Sequence, residues 1–162
     1  MYEKMRGFFA IGVESLSKQM NAGNLFRSAH AFGASFVFTI GGIYSPNHAK
    51  SNTSKSIVHM PIYNYNNFSD FLPPEGSILV GIELTDDAID LPKFKHPKKA
   101  IYILGPEKGN LSNNILSSCK YTVRIPTKFC INLAMAGAIV MYDRVISLGQ
   151  YKPRPVIFNQ ND

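Results

Sequence analysis

Four short apolar runs constrain this chain more than any other feature: residues 8–13 (FFAIGV), 35–40 (SFVFTI), 78–84 (ILVGIEL) and 100–104 (AIYIL). They are nearly continuous rather than alternating, so each reads as a strand covered on both faces, the pattern of a parallel sheet. A helical pattern separates the first two. In residues 21–32, Leu25, Ala29 and Phe32 fall at i, i+4 and i+7, and Gly33 ends the helix. Residues 58–63 read as a short strand and 68–72 as a short helix ahead of Pro73-Pro74. Residues 111–119 read as another short helix, 121–125 as a last strand closed by Pro126, and 132–148 as the final long helix. The polar stretch 44–56 reads as a surface loop. This order predicts an α/β fold, a mainly parallel sheet with helices on both faces. No internal repeat or linker divides the chain, so one domain is expected over 1–150, with a tail at 151–162.

Composition removes several classes. At 162 residues, with 45% apolar and 17% charged, the chain has the make-up of a packed globular domain rather than a disordered one. No apolar run approaches the roughly 18 residues of a membrane span, and the apolar run at 8–13 is too short for a signal peptide. A cytoplasmic location is the expectation. Two cysteines, Cys119 and Cys130, make no disulfide framework, and no His, Cys, Asp or Glu cluster has metal-ligand spacing, so no metal is predicted. Seventeen Lys and Arg against eleven Asp and Glu give a net charge of +6, compatible with a polyanionic partner without requiring one. Lys93, Lys95, Lys98 and Lys99, around His96, read as a solvated loop between strands.

Glycines follow the strand ends at Gly41-Gly42, Gly105 and Gly109, where a ligand can approach backbone in an open α/β sheet. Neither the G-x-G-x-x-G fingerprint nor a phosphate-loop signature is present, which disfavours a dinucleotide dehydrogenase or a nucleoside triphosphatase. Three segments carry more. The first is Asn21-Ala22-Gly23-Asn24-Leu25-Phe26-Arg27. The second is Ile103-Leu104-Gly105-Pro106-Glu107-Lys108-Gly109-Asn110-Leu111-Ser112. The third is Arg124-Ile125-Pro126, a short loop, then Cys130-Ile131-Asn132-Leu133-Ala134. In this order and spacing they resemble the three motifs of the SpoU/TrmH family of RNA ribose 2′-O-methyltransferases, in its minimal single-domain form. The resemblance runs from about residue 8 to 148.

The resemblance implies a C-terminal deep trefoil knot, S-adenosyl-L-methionine as cofactor, RNA as substrate with tRNA favoured over rRNA, and a homodimer. It assigns catalytic roles to Arg27, Asn21, Glu107 and Asn132. Ile82, Leu104, Gly105, Glu107, Gly109, Ile125, Cys130, Ile131, Asn132 and Ala134 would bind the cofactor, with Leu133 part of the 131–134 stretch that supplies walls and backbone hydrogen bonds. Arg27, His30, Lys108 and Lys128 would contact RNA, along with Lys18, Lys50 and Lys55. Read without the family, Asn21 and Asn132 are equally good helix N-caps, and Arg27 is a cation near a helix start, where the dipole gives it nothing. The stripe Leu133, Ala136, Val140 suits a core or a dimer contact. His48, His59 and His96 receive no role. Cys130 stands where the family usually has Ser, and the 126–130 loop is shorter than usual. A non-catalytic RNA-binding protein retaining the cofactor pocket is the alternative to the enzyme.

Overall fold

The computed structural model describes residues 7–46, 60–149 and 151. In chain order they form β1 (Phe8–Glu14), α1 (Gln19–Ala31), β2 (Phe36–Ile40), β3 (Ile62–Tyr65), β4 (Ile78–Ile82) and β5 (Ile89–Asp90). Then come β6 (Lys99–Leu104), α2 (Asn113–Ser118), β7 (Tyr121–Arg124) and α3 (Leu133–Leu148). The strands make one sheet, ordered β3-β2-β1-β6-β4-β7-β5, with every neighbouring pair parallel.

Both faces of this sheet are covered, which explains the unalternating runs. Phe9, Ile11 and Val13 of β1, with Tyr102 and Leu104 of β6, pack against Leu25, Phe26 and Ala29 of α1 and Val140 and Met141 of α3. The intervening Ala10, Ile101 and Ile103, with Phe38 and Ile40 of β2, face Ile115 of α2 and Phe71. Helices α1 and α3 meet at Gly137, where an added Cβ would lie 2.2 Å from Leu25 Cδ1. Strand β7 sits between β4 and β5, two segments made earlier in the chain.

The structure corrects several expectations. Helix α1 starts at Gln19 with Lys18 at its N-cap, so Asn21 lies inside the first turn and is not a cap. Strand β5 was not anticipated, because two residues carry no periodicity. Leu133 and Val140 are buried and Ala136 packs against the same core, so the expected stripe is core. A different stripe, Met135, Ile139, Tyr142 and Ile146, is exposed, Met135 to 60%. The parts of the expected strand, loop and tail at 47–59, 150 and 152–162, with His48, Lys50, Lys55 and His59, lie outside the described residues. No described helix is long and apolar enough to cross a membrane.

The lysine-rich segment is only half solvated. Its lysines are exposed, but Phe94 and His96 turn inward. Arg144 Nη1 donates to the Tyr102 hydroxyl at 3.2 Å, so that hydroxyl directs its hydrogen at His96 Nδ1, 2.6 Å away. His96 Nε2–H then donates to Asp143 Oδ2 at 2.9 Å. Burial holds the His96 pKa below its ordinary 6.5, against the upward pull of Asp143. The unfolded chain therefore takes up the proton first as pH falls. The stabilisation from neutral His96 is complete above about pH 6.5 and is lost progressively below it. Thermal melts should show the midpoint dropping from about pH 7 to about pH 5, with a shallower drop for His96→Gln. An equal drop in both proteins would remove His96 as its source.

Candidate active site

The carboxyl ends of β4, β6 and β7 open into a cleft closed on its far side by the start of α3, the position at which parallel α/β sheets bind ligands. Ile82, Leu104, Gly105, Glu107, Gly109, Ile125, Cys130 and Ile131, all expected as cofactor contacts, line it. Two others do not. Ala134 is buried in the core beneath the cleft, and Asn132 works through hydrogen bonds instead. Leu133, in the expected 131–134 stretch, lines the cleft too, and Glu83, Arg124, Thr127 and Ala136 line it without having been expected as cofactor contacts. Glu83 and Arg124 directly adjoin the expected Ile82 and Ile125, which is the one signal that pointed to them.

A chain of side-chain hydrogen bonds ties the three sequence segments together. Ser17 Oγ donates to Glu107 Oε2, and Asn21 Nδ2 donates to Glu107 Oε1 at 2.5 Å. Asn132 Nδ2 donates to Asn21 Oδ1 at 3.0 Å. Asn132 Oδ1 in turn accepts from the backbone N–H of Ala134 at 2.9 Å and of Met135 at 3.3 Å, capping α3. One asparagine thus satisfies two helix donors and locks the first and third segments in register. For Asn132, the helix cap and the tie to Asn21 are made by one side chain.

The turn after β6 is held just as closely. Glu83 Oε2 accepts from the Leu111 N–H at 2.8 Å, and a Cβ on Gly105 would sit 2.9 Å from that oxygen and 3.2 Å from that nitrogen. Glycine at 105 is what lets the carboxylate and the returning backbone meet across the turn. At the cleft's edge, Arg124 Nε donates to Asp90 Oδ1 at 2.7 Å and Nη1 to the Thr85 carbonyl at 3.3 Å, bracing β7 against β5 and the segment before it. The Arg124 hydrogen bond holds the Asp90 carboxyl below the usual carboxylate range. Cys130 is exposed at the cleft, whereas burial of the half-buried Cys119 thiol against Gly81 pushes its pKa up to about 11, so it is a poor nucleophile at neutral pH.

Arg27, His30, Lys108 and Lys128, the residues expected to contact RNA, do not line the cleft. Arg27 projects from the exposed stripe of α1, with Met20 and Asn24, and has no ion-pair partner among the described residues. It lies six residues, about 9 Å of helix rise, beyond Asn21. His30, half-buried in the last turn, is farther still. Lys108 and Lys128 are exposed, Lys108 beside Glu107 and Lys128 on the loop leaving β7. No described group of His, Cys, Asp or Glu side chains is placed to hold a metal.

A sequence description of the SpoU rRNA Methylase family matches residues 9–142. A mouse protein, tRNA (guanosine(18)-2′-O)-methyltransferase TARBP1 (Mus musculus), is 24% identical over 138 residues, 79% of this chain and 9% of that protein. The 23S rRNA (uridine(2479)-2′-O)-methyltransferase of Streptomyces viridochromogenes is 27% identical over 138 residues, 77% of this chain and 48% of that protein. The chain therefore spans less than half the length of either curated relative. Among solved structures, an AdoMet-bound rRNA methyltransferase from Sinorhizobium meliloti superposes with a TM-score of 0.78 at 23% identity, over 91% of this chain and 59% of that one. A structure described as giving insight into 2-OH methylation of C/U34 on tRNA superposes at 0.69 with 19% identity, over 88% of this chain and 97% of that one.

Proposed function

The chain belongs to the SpoU rRNA Methylase family, and on that premise we propose that it is an S-adenosylmethionine-dependent RNA ribose 2′-O-methyltransferase. The observation that carries this reading is the hydrogen-bond chain Glu107–Asn21–Asn132, which draws all three family segments to one cleft at the carboxyl ends of the strands. The cleft suits the cofactor. Its apolar walls, Ile82, Leu104, Ile125 and Leu133, match a flat adenine, and the carboxylates of Glu83 and Glu107 match a ligand carrying a sulfonium and an amine. S-adenosylmethionine, when bound, supplies an electrophilic methyl group. The protein's share is to place the ribose 2′-oxygen in line with that methyl and to favour loss of its proton.

Arg27 is the residue we assign to the 2′-oxygen. A guanidinium stays charged at neutral pH and donates hydrogen bonds in a planar fork, so it stabilises the developing alkoxide rather than acting as a base. Because Arg27 stands outside its own chain's cleft, we take the working unit to be a homodimer in which one copy's Arg27 serves the other's cleft. The exposed apolar residues Met20, Met135, Ile139 and Ile146 on α1 and α3 support that arrangement, since a second copy over this face would cover them. The same reading takes the last segments to be threaded as a deep trefoil knot. Supporting it, β7 enters between two earlier strands and Arg124 is tied to Thr85 and Asp90.

tRNA is the favoured substrate, because a neighbour matched over 97% of its own length is described with tRNA; rRNA is second. The test is methyl transfer from labelled S-adenosylmethionine to separate tRNA and rRNA pools from cells lacking this gene, followed by digestion to nucleosides. Label in a 2′-O-methyl nucleoside from tRNA is the expected result. Label only in rRNA would reverse the substrate order, and none in either, with the cofactor bound, would favour a non-catalytic RNA-binding role.

Gly105→Ala gives a second check on the cleft. Its Cβ would push Glu83 off the Leu111 N–H and narrow the turn. We expect S-adenosylmethionine affinity to fall by roughly tenfold or more, the worth of one such hydrogen bond to a charged group. Calorimetry on the purified variant would measure it, and unchanged affinity would place the cofactor elsewhere.

A further inference from the structure

A second cleft, of about 640 Å³, opens on the α2 face of the sheet beyond the carboxyl ends of β1, β2 and β3. Asn66, Asn67 and Ser69 form one wall, Asn114, Ser117 and Ser118 the other, and Ile40 and the half-buried ring of Phe68 lie between them. Residues 114, 117 and 118 share one face of α2. From this chemistry we infer that the cleft is a nucleobase subsite, taking a base next to the nucleotide that is methylated. The inference rests on the methyltransferase reading above.

Three observations carry it. First, the lining contains no cation, and its one charged group, Glu14, accepts from the Ser112 N–H at 2.8 Å. A phosphate would be repelled there, whereas an uncharged polar ring is not. Second, the walls offer unspent hydrogen-bonding groups. The hydroxyls of Ser117 and Ser118 donate to the Asn114 carbonyl and keep lone pairs open. The side-chain amides of Asn66 and Asn114 have no partner among the described residues. Each amide presents donors and an acceptor side by side, the complement of a base edge, with an aromatic ring to stack upon.

Third, the two clefts share a rim. Leu111 N–H is bound by Glu83 in the first and the adjacent Ser112 N–H by Glu14 in the second. Ser15 lines the second cleft, while Ser17, two residues on, holds Glu107. Two residues span at most about 7 Å, so a ribose in the first cleft puts its neighbouring base within reach of the second. The rim backbone is built for this corner. Ser15 takes a left-handed conformation (φ 52°) that non-glycine residues seldom hold, and Gly41 (φ 69°) lies beside it, with its Cβ position 3.7 Å from Ser15 Oγ.

Asn66→Ala with Asn114→Ala tests the assignment. Both residues are exposed, so the double variant keeps its core. The probe is a synthetic stem–loop copied from the RNA that the unaltered protein methylates, made with and without an abasic site at each position flanking the methylated nucleotide. We expect KM for the intact stem–loop to rise roughly tenfold in the double variant, with kcat and S-adenosylmethionine affinity unchanged. One abasic position should raise KM similarly in the unaltered protein and add nothing in the variant. An unchanged KM in the double variant, or losses from abasic site and variant that multiply, would overturn the subsite alone. Failure of the unaltered protein to methylate any RNA would instead overturn the methyltransferase reading, and the subsite with it.

Discussion

Arg27→Ala should reduce methyl transfer by about a hundredfold to a thousandfold, the loss typical of removing one donor from a developing oxyanion, while S-adenosylmethionine affinity stays within about twofold, since the residue lies outside the cleft. The side chain is exposed, so the substitution leaves the fold intact and the loss can be read as chemistry. Arg27→Lys separates charge from shape. A lysine supplies a point charge without the planar fork, and we expect it to recover only a small part of the activity. Nearly full activity in the lysine variant would overturn a guanidinium-specific role. The dimer reading adds a sharper test. With S-adenosylmethionine held below saturation, Arg27→Ala and Gly105→Ala are each expected to be impaired, one for lack of the arginine and one for weakened cofactor binding. In a mixed dimer, one of the two sites pairs an intact cleft with an intact Arg27 only if the arginine acts across the interface. Co-expressing the two variants should then restore a measurable fraction of activity. No restoration in a verified mixed dimer would mean that Arg27 serves its own chain.

The sheet was legible in the sequence because both of its faces are covered. Uninterrupted apolar runs such as 100–104 have no other stable setting in a chain of this composition, and four of the strands lie within a residue or two of where those runs place them. The site was legible for a different reason. Gly105, Glu107 and Asn132 recur in a fixed order that matches a family, and the structure supplies what order alone lacks, the bonds from Asn21 to Glu107 and from Asn132 to Asn21. What stayed hidden depends on contacts between residues far apart in the chain. Glu83 shows its part only when Leu111, 28 residues later, folds back to it. The two-residue β5 exists because β7 pairs with it. His96 looked solvated among its lysines because its partners, Tyr102, Asp143 and, through Tyr102, Arg144, lie in other elements. One sign was available: an Asp-Arg pair interrupting an otherwise apolar helix, which marks a buried partner or an exposed face.

That pair gives the largest stability effect expected of a single substitution. Arg144 is 1% exposed and is the clamp that holds α3 to the lower edge of the sheet. Its Nη1 donates to the Pro97 carbonyl at 2.5 Å and to the Tyr102 hydroxyl at 3.2 Å, and its Nη2 to the carbonyls of Lys98 at 2.8 Å and Phe8 at 3.3 Å. The guanidinium also lies 5.3 Å from the Phe9 ring centroid. Methionine fills similar space but leaves those acceptors without their donor in a site closed to water. It also frees the Tyr102 hydroxyl from the geometry that directs its hydrogen at His96. Charged-group hydrogen bonds are worth about 1.5–3 kcal/mol each, and removing the cation also removes its own desolvation cost. The net loss for Arg144→Met should be about 3 kcal/mol, a large share of a typical domain's stability. That corresponds to a midpoint lowered by roughly 6–12 °C in a chain of this length. Arg144→Lys, with one ammonium in place of the fork, should lose less but not recover fully. Urea unfolding of the three proteins at neutral pH measures the differences directly. A loss below about 1 kcal/mol in the methionine variant would show that apolar packing, not this clamp, fixes α3 under the cleft it closes.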